Sequence, residues 1–158
     1  MVKPTLICMC GLPRSGKSTI TSKLSKQLGA PIVERDSIRI ALHGERYNAF
    51  MEPLVKTLDL YMIKSLFIAR HDVIICDETN YSRATRNHLR DQAWDTVWYP
   101  VPTDASTCIS RAYATEQSDL VPVIVEMASR WEEFEPGDDM FVVATEQGTI
   151  VTRKFSGS

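Results

Sequence analysis

Residues 9–20, MCGLPRSGKSTI, place a polar, glycine-bearing turn between two apolar runs. Thr5-Leu6-Ile7-Cys8 before it is short and apolar, like a buried strand, and Ile20, Leu24 and Leu28 after it recur at helical spacing. Within the turn, Gly11-Leu12-Pro13-Arg14-Ser15-Gly16-Lys17-Ser18 satisfies G-x-x-x-x-G-K-[ST] without exception. That spacing suits a loop that wraps a phosphate and aims its backbone N–H groups inward. Gly11 and Gly16 permit the close approach and the unusual dihedrals, and the following helix adds its positive N-terminal end. The expectation is a nucleoside triphosphate, ATP or another NTP, held by residues Gly11 to Thr19. Lys17 would reach the β- and γ-phosphates, and the Ser18 hydroxyl would ligate Mg²⁺.

Outward from this loop, strand-like and helix-like segments alternate. Strands are expected at Thr5–Cys10, Pro31–Glu34, Asp72–Cys76 and Thr96–Tyr99, with a final strand and hairpin over Phe141–Val143 and Thr149–Val151. The first helix, Lys17–Leu28, can end at Gly29, and a short one starts near Asp36 and ends before Gly44. A long helix runs from about Pro53 to Arg70 with Leu54, Leu58, Met62 and Leu66 on one side. Ser82 can cap a helix through Ala93, and Asp104 opens another to about Thr115. Pro122 suits the first turn of a last helix ending near Phe134. Such alternation predicts a parallel sheet covered on both faces, a three-layer α/β/α fold.

The length of 158 residues suits a single domain, 1–158, with an ordinary globular core. A net charge of −2 gives no overall attraction to nucleic acid, so any basic groove would be local. Cys8, Cys10, Cys76 and Cys108 lack metal-site spacing and read as buried free thiols in a reducing compartment. No long apolar segment precedes the first strand, so a cytoplasmic protein without a membrane partner is expected. Oligomeric state is not legible.

Glu34-Arg35-Asp36-Ser37-Ile38-Arg39 follows the second strand, at the carboxyl edge where open α/β sheets bind ligands. Asp36 and Arg39 are three apart and share one helix face. A carboxylate there can accept a hydroxyl's proton and a guanidinium can grip a phosphate; a helix cap with a local ion pair is the bland alternative.

The order GLPRSGKST, RDSIR, VIICDETNYSRATR, VPVIVEMASRWEEFEP resembles the P-loop polynucleotide 5′-kinase family, especially its phage-type kinase domains, over roughly residues 3 to 136. The resemblance implies a P-loop kinase fold with a short helical lid, here about 111–122, and transfer of the ATP γ-phosphate to a 5′-hydroxyl of DNA or RNA. It makes Asp36 the general base, gives Arg39 to the acceptor's 3′-side phosphate, and puts an acceptor-contacting carboxylate at Asp77.

Asp77-Glu78-Thr79-Asn80 directly follows an apolar strand, where a carboxylate can orient Mg²⁺ or the acceptor. Either Asp77 or Glu78 could take that role, with Thr79 and Asn80 beside it. Arg83, Arg86 and Arg90 then form a basic stripe, a solvated face or an acceptor-phosphate track led by Arg83 and Arg86. The lid departs from the family pattern. From Ala112 to Pro122 it carries no basic residue; Arg111, at the end of the preceding helix, could meet the nucleotide or stand in for the missing lid charge, and Arg14 and Arg130 are other sources. Two other readings therefore stand beside the polynucleotide kinase: a P-loop kinase for another hydroxyl (a modified DNA base, a nucleoside or a small metabolite), and an NTP-binding module with little transfer activity. Tyr47, Phe50, Tyr81 and Trp94 are candidate stacking platforms for single-stranded nucleic acid.

Overall fold

The computed structural model describes residues 2–157. Six strands form one sheet: β1 (Thr5–Cys10), β2 (Ile32–Glu34), β3 (Val73–Asp77), β4 (Asp95–Pro100), β5 (Asp139–Ala144) and β6 (Ile150–Lys154). Their order is β2-β3-β1-β4-β5-β6; the first five are parallel and β6 returns antiparallel to β5. The order reverses at β1, so the loop after it opens at the carboxyl edge between β3 and β4, where the sheet leaves a crevice.

Side chains alternate across the sheet and divide the core. Leu6, Cys8, Cys10, Ile74 and Cys76 face α2 (Arg35–His43), α3 (Glu52–Ile68) and α4 (Arg83–His88), and Ile7, Met9 and Ile75 face α1 (Lys17–Leu28). Beyond the sheet edge, α5 (Ala105–Ala114), a 3₁₀ turn (Ser118–Leu120) and α6 (Val121–Ser129) form a small helical unit with its own apolar cluster. The four cysteines are buried and free, as expected. Among the described residues no helix is long and apolar enough to cross a membrane.

Three sequence expectations are corrected. The fully buried positions of α3 are Val55, Asp59 and Ile63; of the expected face, Leu58 and Leu66 pack against the core while Leu54 and Met62 are exposed. Apolar residues lie almost all round this helix, and the inward pull of Asp59 on Arg35 settles which face turns in. α4 ends at His88, because Arg90 leaves the helix to bond Asp138 and Asp91 accepts the Ala93 N–H in a local turn. α6 ends at Ser129, because the Glu132 and Glu133 carbonyls are taken by the Arg86 guanidinium and Phe134 is drawn into the core.

Candidate active site

The loop between β1 and α1 is shaped by its glycines. A Cβ at Gly11 would lie 2.7 Å from Ser15 Oγ and 3.1 Å from the Val101 carbonyl, so a side chain there would push on the Ser15 hydroxyl and crowd the backbone after β4. Gly16 caps α1 at φ 98°, and Arg14 is also left-handed at φ 66°. No side chain caps α1, so its first-turn N–H groups open onto the loop. The Leu12 side chain is buried in the cluster with Cys108, Ala112 and Ile124, tying the loop to the helical unit. Its carbonyl accepts from Lys17 Nζ at 3.0 Å. Burial lowers the Lys17 pKa, and the Asp77 and Asp36 charges oppose that fall. Arg111 Nη1 donates to the Arg14 carbonyl at 3.2 Å, so the end of α5 is brought onto the loop. Pro13 is half-buried, and Ser18 and Thr19 are exposed at the start of α1.

Strand parity separates the two acids that follow β3. Asp77 shares the face of Ile75 and meets α1: Ser18 Oγ donates to Asp77 Oδ2 at 3.3 Å. Burial raises the Asp77 pKa, while Lys17 and the Ser18 hydrogen bond pull it down. Glu78 continues the face of Cys76 toward α3, accepts from the Cys76 thiol at 3.1 Å and pairs with Arg35 at 2.7 Å. Arg35 also binds Asp59 at 3.1 Å. Burial, then the neighbouring Asp59, holds Glu78 well above the usual glutamate range, with Arg35 opposing. Asp77 is thus the carboxylate at the phosphate loop, and Glu78 belongs to a buried ionic cluster behind it.

The acceptor side is built by α2. Asp36 is well exposed near the start of the helix, and its charge is felt at both Lys17 and Asp77. Arg39 Nη1 donates to Asp36 at 2.6 Å, while its Nε and Nη2 donate to Glu52 at 3.0 and 2.6 Å. Burial alone would lower the Arg39 pKa, but Glu52 and then Asp36 outweigh it and the shift is upward. The guanidinium is held by two carboxylates, with one N–H each of Nη1 and Nη2 left over. A pocket of about 390 Å³ opens beside it, lined by Glu34, Asp36, Ser37, Ile40, Ala41 and Arg46. A second cavity, of about 200 Å³, lies between Gly11 and Leu12 of the loop, the segment after β4, and Ala128 and Trp131.

Other expected site residues are structural. Arg86 is 1% exposed and donates to the Asn80, Glu132 and Glu133 carbonyls at 2.8–2.9 Å, with its guanidinium 4.8 Å from the Phe134 ring centre. It cannot track an acceptor phosphate. Asn80 is equally buried and donates to the Met9 carbonyl at 2.8 Å, bracing β1 rather than meeting a substrate. Thr79 contributes its carbonyl to the Gly11 N–H at 3.0 Å. Arg83 is half exposed and leans on the Glu133 carbonyl, and Arg90 is held by Asp138, so no basic stripe forms. Trp94 is core, stacked on Phe67, whereas Tyr47 and Phe50 are exposed on the α2–α3 connection.

Sequence reasoning missed Arg35, Glu52, Asp59 and Arg46. Asp59, an acid between Val55 and Ile63 at four-residue spacing in α3, is the available signal.

The residues present fit a bound nucleotide and metal. The buried Ser15 hydroxyl has no partner, and the uncapped helix end and left-handed Gly16 suit an anion. Ser18 and Asp77 offer the hard oxygen donors that Mg²⁺ prefers.

Comparison with known proteins agrees with this architecture. The chain belongs to the AAA domain family, which matches residues 6–129. No curated protein matches it. Its fold is similar to a chain of the Pnkp1/Rnl/Hen1 complex, at 24% identity and TM-score 0.63, over 70% of this chain and 40% of that one. It is similar to a gluconokinase from Sinorhizobium meliloti 1021, at 20% identity and TM-score 0.53, covering 84% and 78%. It is also similar to the Mycobacterium tuberculosis APS kinase CysC in complex with AMPPNP and APS, at 17% identity and TM-score 0.59, covering 73% and 74%. The fold is that of the P-loop kinases.

Proposed function

We propose that the protein is an ATP- and Mg²⁺-dependent phosphotransferase that moves the γ-phosphate to a 5′-hydroxyl end of DNA or RNA, residues 1–158 acting as one kinase domain with a lid near 111–122. The observation that carries it is Asp36. An exposed carboxylate borders an open pocket while its charge acts on Lys17 of the phosphate loop. In this reading Gly11 to Thr19 cradle the phosphates, Lys17 and Arg111 offset their charge, and Ser18 with Asp77 would hold Mg²⁺. The metal supplies charge neutralisation on the phosphates when bound.

Asp36 takes the proton of the acceptor hydroxyl as its oxygen bonds the γ-phosphorus, the bridge to the β-phosphate breaks and ADP leaves. Arg39, anchored on Glu52, orients Asp36. Likeness to a chain of an RNA repair complex, and exposed Tyr47 and Phe50 on the α2–α3 connection, support a nucleic-acid acceptor. The lid, acidic and without a cation between Ala112 and Pro122, favours a second reading in which the same machinery serves another hydroxyl.

The test offers labelled ATP in parallel to 5′-hydroxyl DNA, 5′-hydroxyl RNA, hydroxymethylated duplex and free nucleosides. Label on the 5′ ends is the expected result. Label on a modified base or nucleoside alone moves the protein to the second reading.

A further inference from the structure

Two carboxylates, Glu34 and Asp36, line the 390 Å³ pocket, and they are held differently. Asp36 is paired with Arg39 at 2.6 Å. Among the described residues Glu34 pairs with no cation, and its Oε1 accepts from the Ser37 hydroxyl at 2.9 Å. Val33 before it packs in the core on the α3 side, so period-two alternation turns Glu34 to the other face of the sheet. There it stands in register with Asp77, which feels its charge. The pocket thus adjoins the reacting centre through both of its acids. A carboxylate without a cation repels a phosphate and accepts from a neutral hydroxyl. Glu34 and Asp36 are two residues apart, with α-carbons on the order of 6 Å from each other. That is comparable with the span of one pentose and its hydroxyls. Ile40 and Ala41 add an apolar wall, and the volume admits a nucleoside-sized group.

We infer that Glu34 reads the sugar of the acceptor's terminal nucleotide: with the 5′-hydroxyl at Asp36, the 2′-hydroxyl of a ribose donates to the Glu34 carboxylate. RNA 5′ ends are thereby favoured over DNA 5′ ends, since the 2′-hydroxyl is the group that tells the two apart. The inference rests on the kinase reading for the occupant of the pocket, and narrows its acceptor from DNA or RNA to RNA. A deoxyribose in the same place covers the Glu34 carboxylate and gives it no donor. That unpaired acceptor is the source of the discrimination.

The experiment is calorimetric titration of dinucleoside monophosphates into the full chain loaded with ADP and Mg²⁺. The probes differ in one group: the 5′ nucleoside is uridine, 2′-deoxyuridine or 2′-O-methyluridine, each followed by the same 3′ uridine. Wild type should bind the ribo form about tenfold or more tightly than the deoxy form, the worth of one hydrogen bond to a charged group. The 2′-O-methyl form has no proton to donate and should bind no better than the deoxy form. Glu34→Ala should remove the preference for ribo over deoxy, and Glu34→Gln, which keeps a neutral acceptor, should retain part of it. ATP affinity should be the same in wild type and both variants. Equal affinity for ribo and deoxy in wild type, binding of no probe, a 2′-O-methyl form as tight as the ribo form, or an undiminished preference in Glu34→Ala would each overturn the role of Glu34. Loss of ATP affinity in both variants would overturn it in favour of a role at the phosphate loop.

Phosphate transfer separates this inference from the reading beneath it. A ribose preference that depends on Glu34, without transfer to any 5′-hydroxyl, leaves the inference standing and sinks the polynucleotide kinase. Transfer to ribo and deoxy 5′ ends with equal kcat/KM does the reverse.

Discussion

Lys17 and Arg86 are both partly or fully buried cations, and they do opposite things. Lys17 spends its charge on one backbone carbonyl of a loop that otherwise presents donors, so it has more to gain from a phosphate than from the empty fold. Lys17→Ala should therefore leave thermal stability almost unchanged and weaken ATP about ten- to a hundredfold by calorimetry. Equal ATP affinity would remove the phosphate-loop assignment. Arg86 satisfies three carbonyls from a side chain that is itself buried. Arg86→Ala should cost about 3 kcal/mol or more in chemical denaturation, since those acceptors are orphaned and a cavity opens beside Phe134. A variant as stable as wild type would return Arg86 to the list of site residues. Sequence spacing put both arginine and lysine in the site. It could not separate them, because a buried clamp and a solvated stripe share the same three- and four-residue intervals.

At the scale of elements, strand parity carries more than the sequence reading drew from it. Two acids after an apolar strand were left interchangeable, yet period-two alternation sends Asp77 to α1 and the phosphate loop and Glu78 to α3. The α3 face was misjudged for a related reason. Apolar residues spread over several faces of the helix leave its periodicity weak, and Asp59 between Val55 and Ile63 marks the side that turns inward. The Arg35–Asp59–Glu78 cluster pins the start of α2, and so Asp36, to the end of β3.

This cluster has a pH signature. Glu78 holds its proton more tightly folded than unfolded, so its contribution to stability is full below its ordinary value of 4.5 and is lost as pH rises toward the folded value. Glu78→Gln cannot ionise, so wild type should lose stability relative to it as pH is raised from 4 upward. The check is the difference in denaturation midpoint between the two proteins across that range. A difference that is flat, or that grows in favour of wild type, would contradict the raised pKa.

For the whole molecule, alternation of strands and helices made the three-layer α/β fold legible, along with the hairpin at its end. The order β2-β3-β1-β4-β5-β6 was not, because pairing in a parallel sheet is set by crossovers that leave no local mark. That order creates the crevice in which the loop after β1, the acid after β3 and the start of α2 meet. The early ends of α4 and α6 were hidden for a similar reason: Arg86 reaches between them and takes carbonyls that a longer α6 would have used.

The central claim is that these parts form one site in which Asp36 accepts a proton from a 5′-hydroxyl while the loop presents ATP. It is tested most directly by γ-phosphate transfer to a 5′-hydroxyl oligonucleotide in wild type and Asp36→Asn, with ATP affinity measured on both. The account predicts transfer by wild type, a loss of about a hundredfold or more in the variant, and unchanged ATP binding. Full transfer by Asp36→Asn, or tight ATP binding by a wild type that labels no 5′ end, would contradict it.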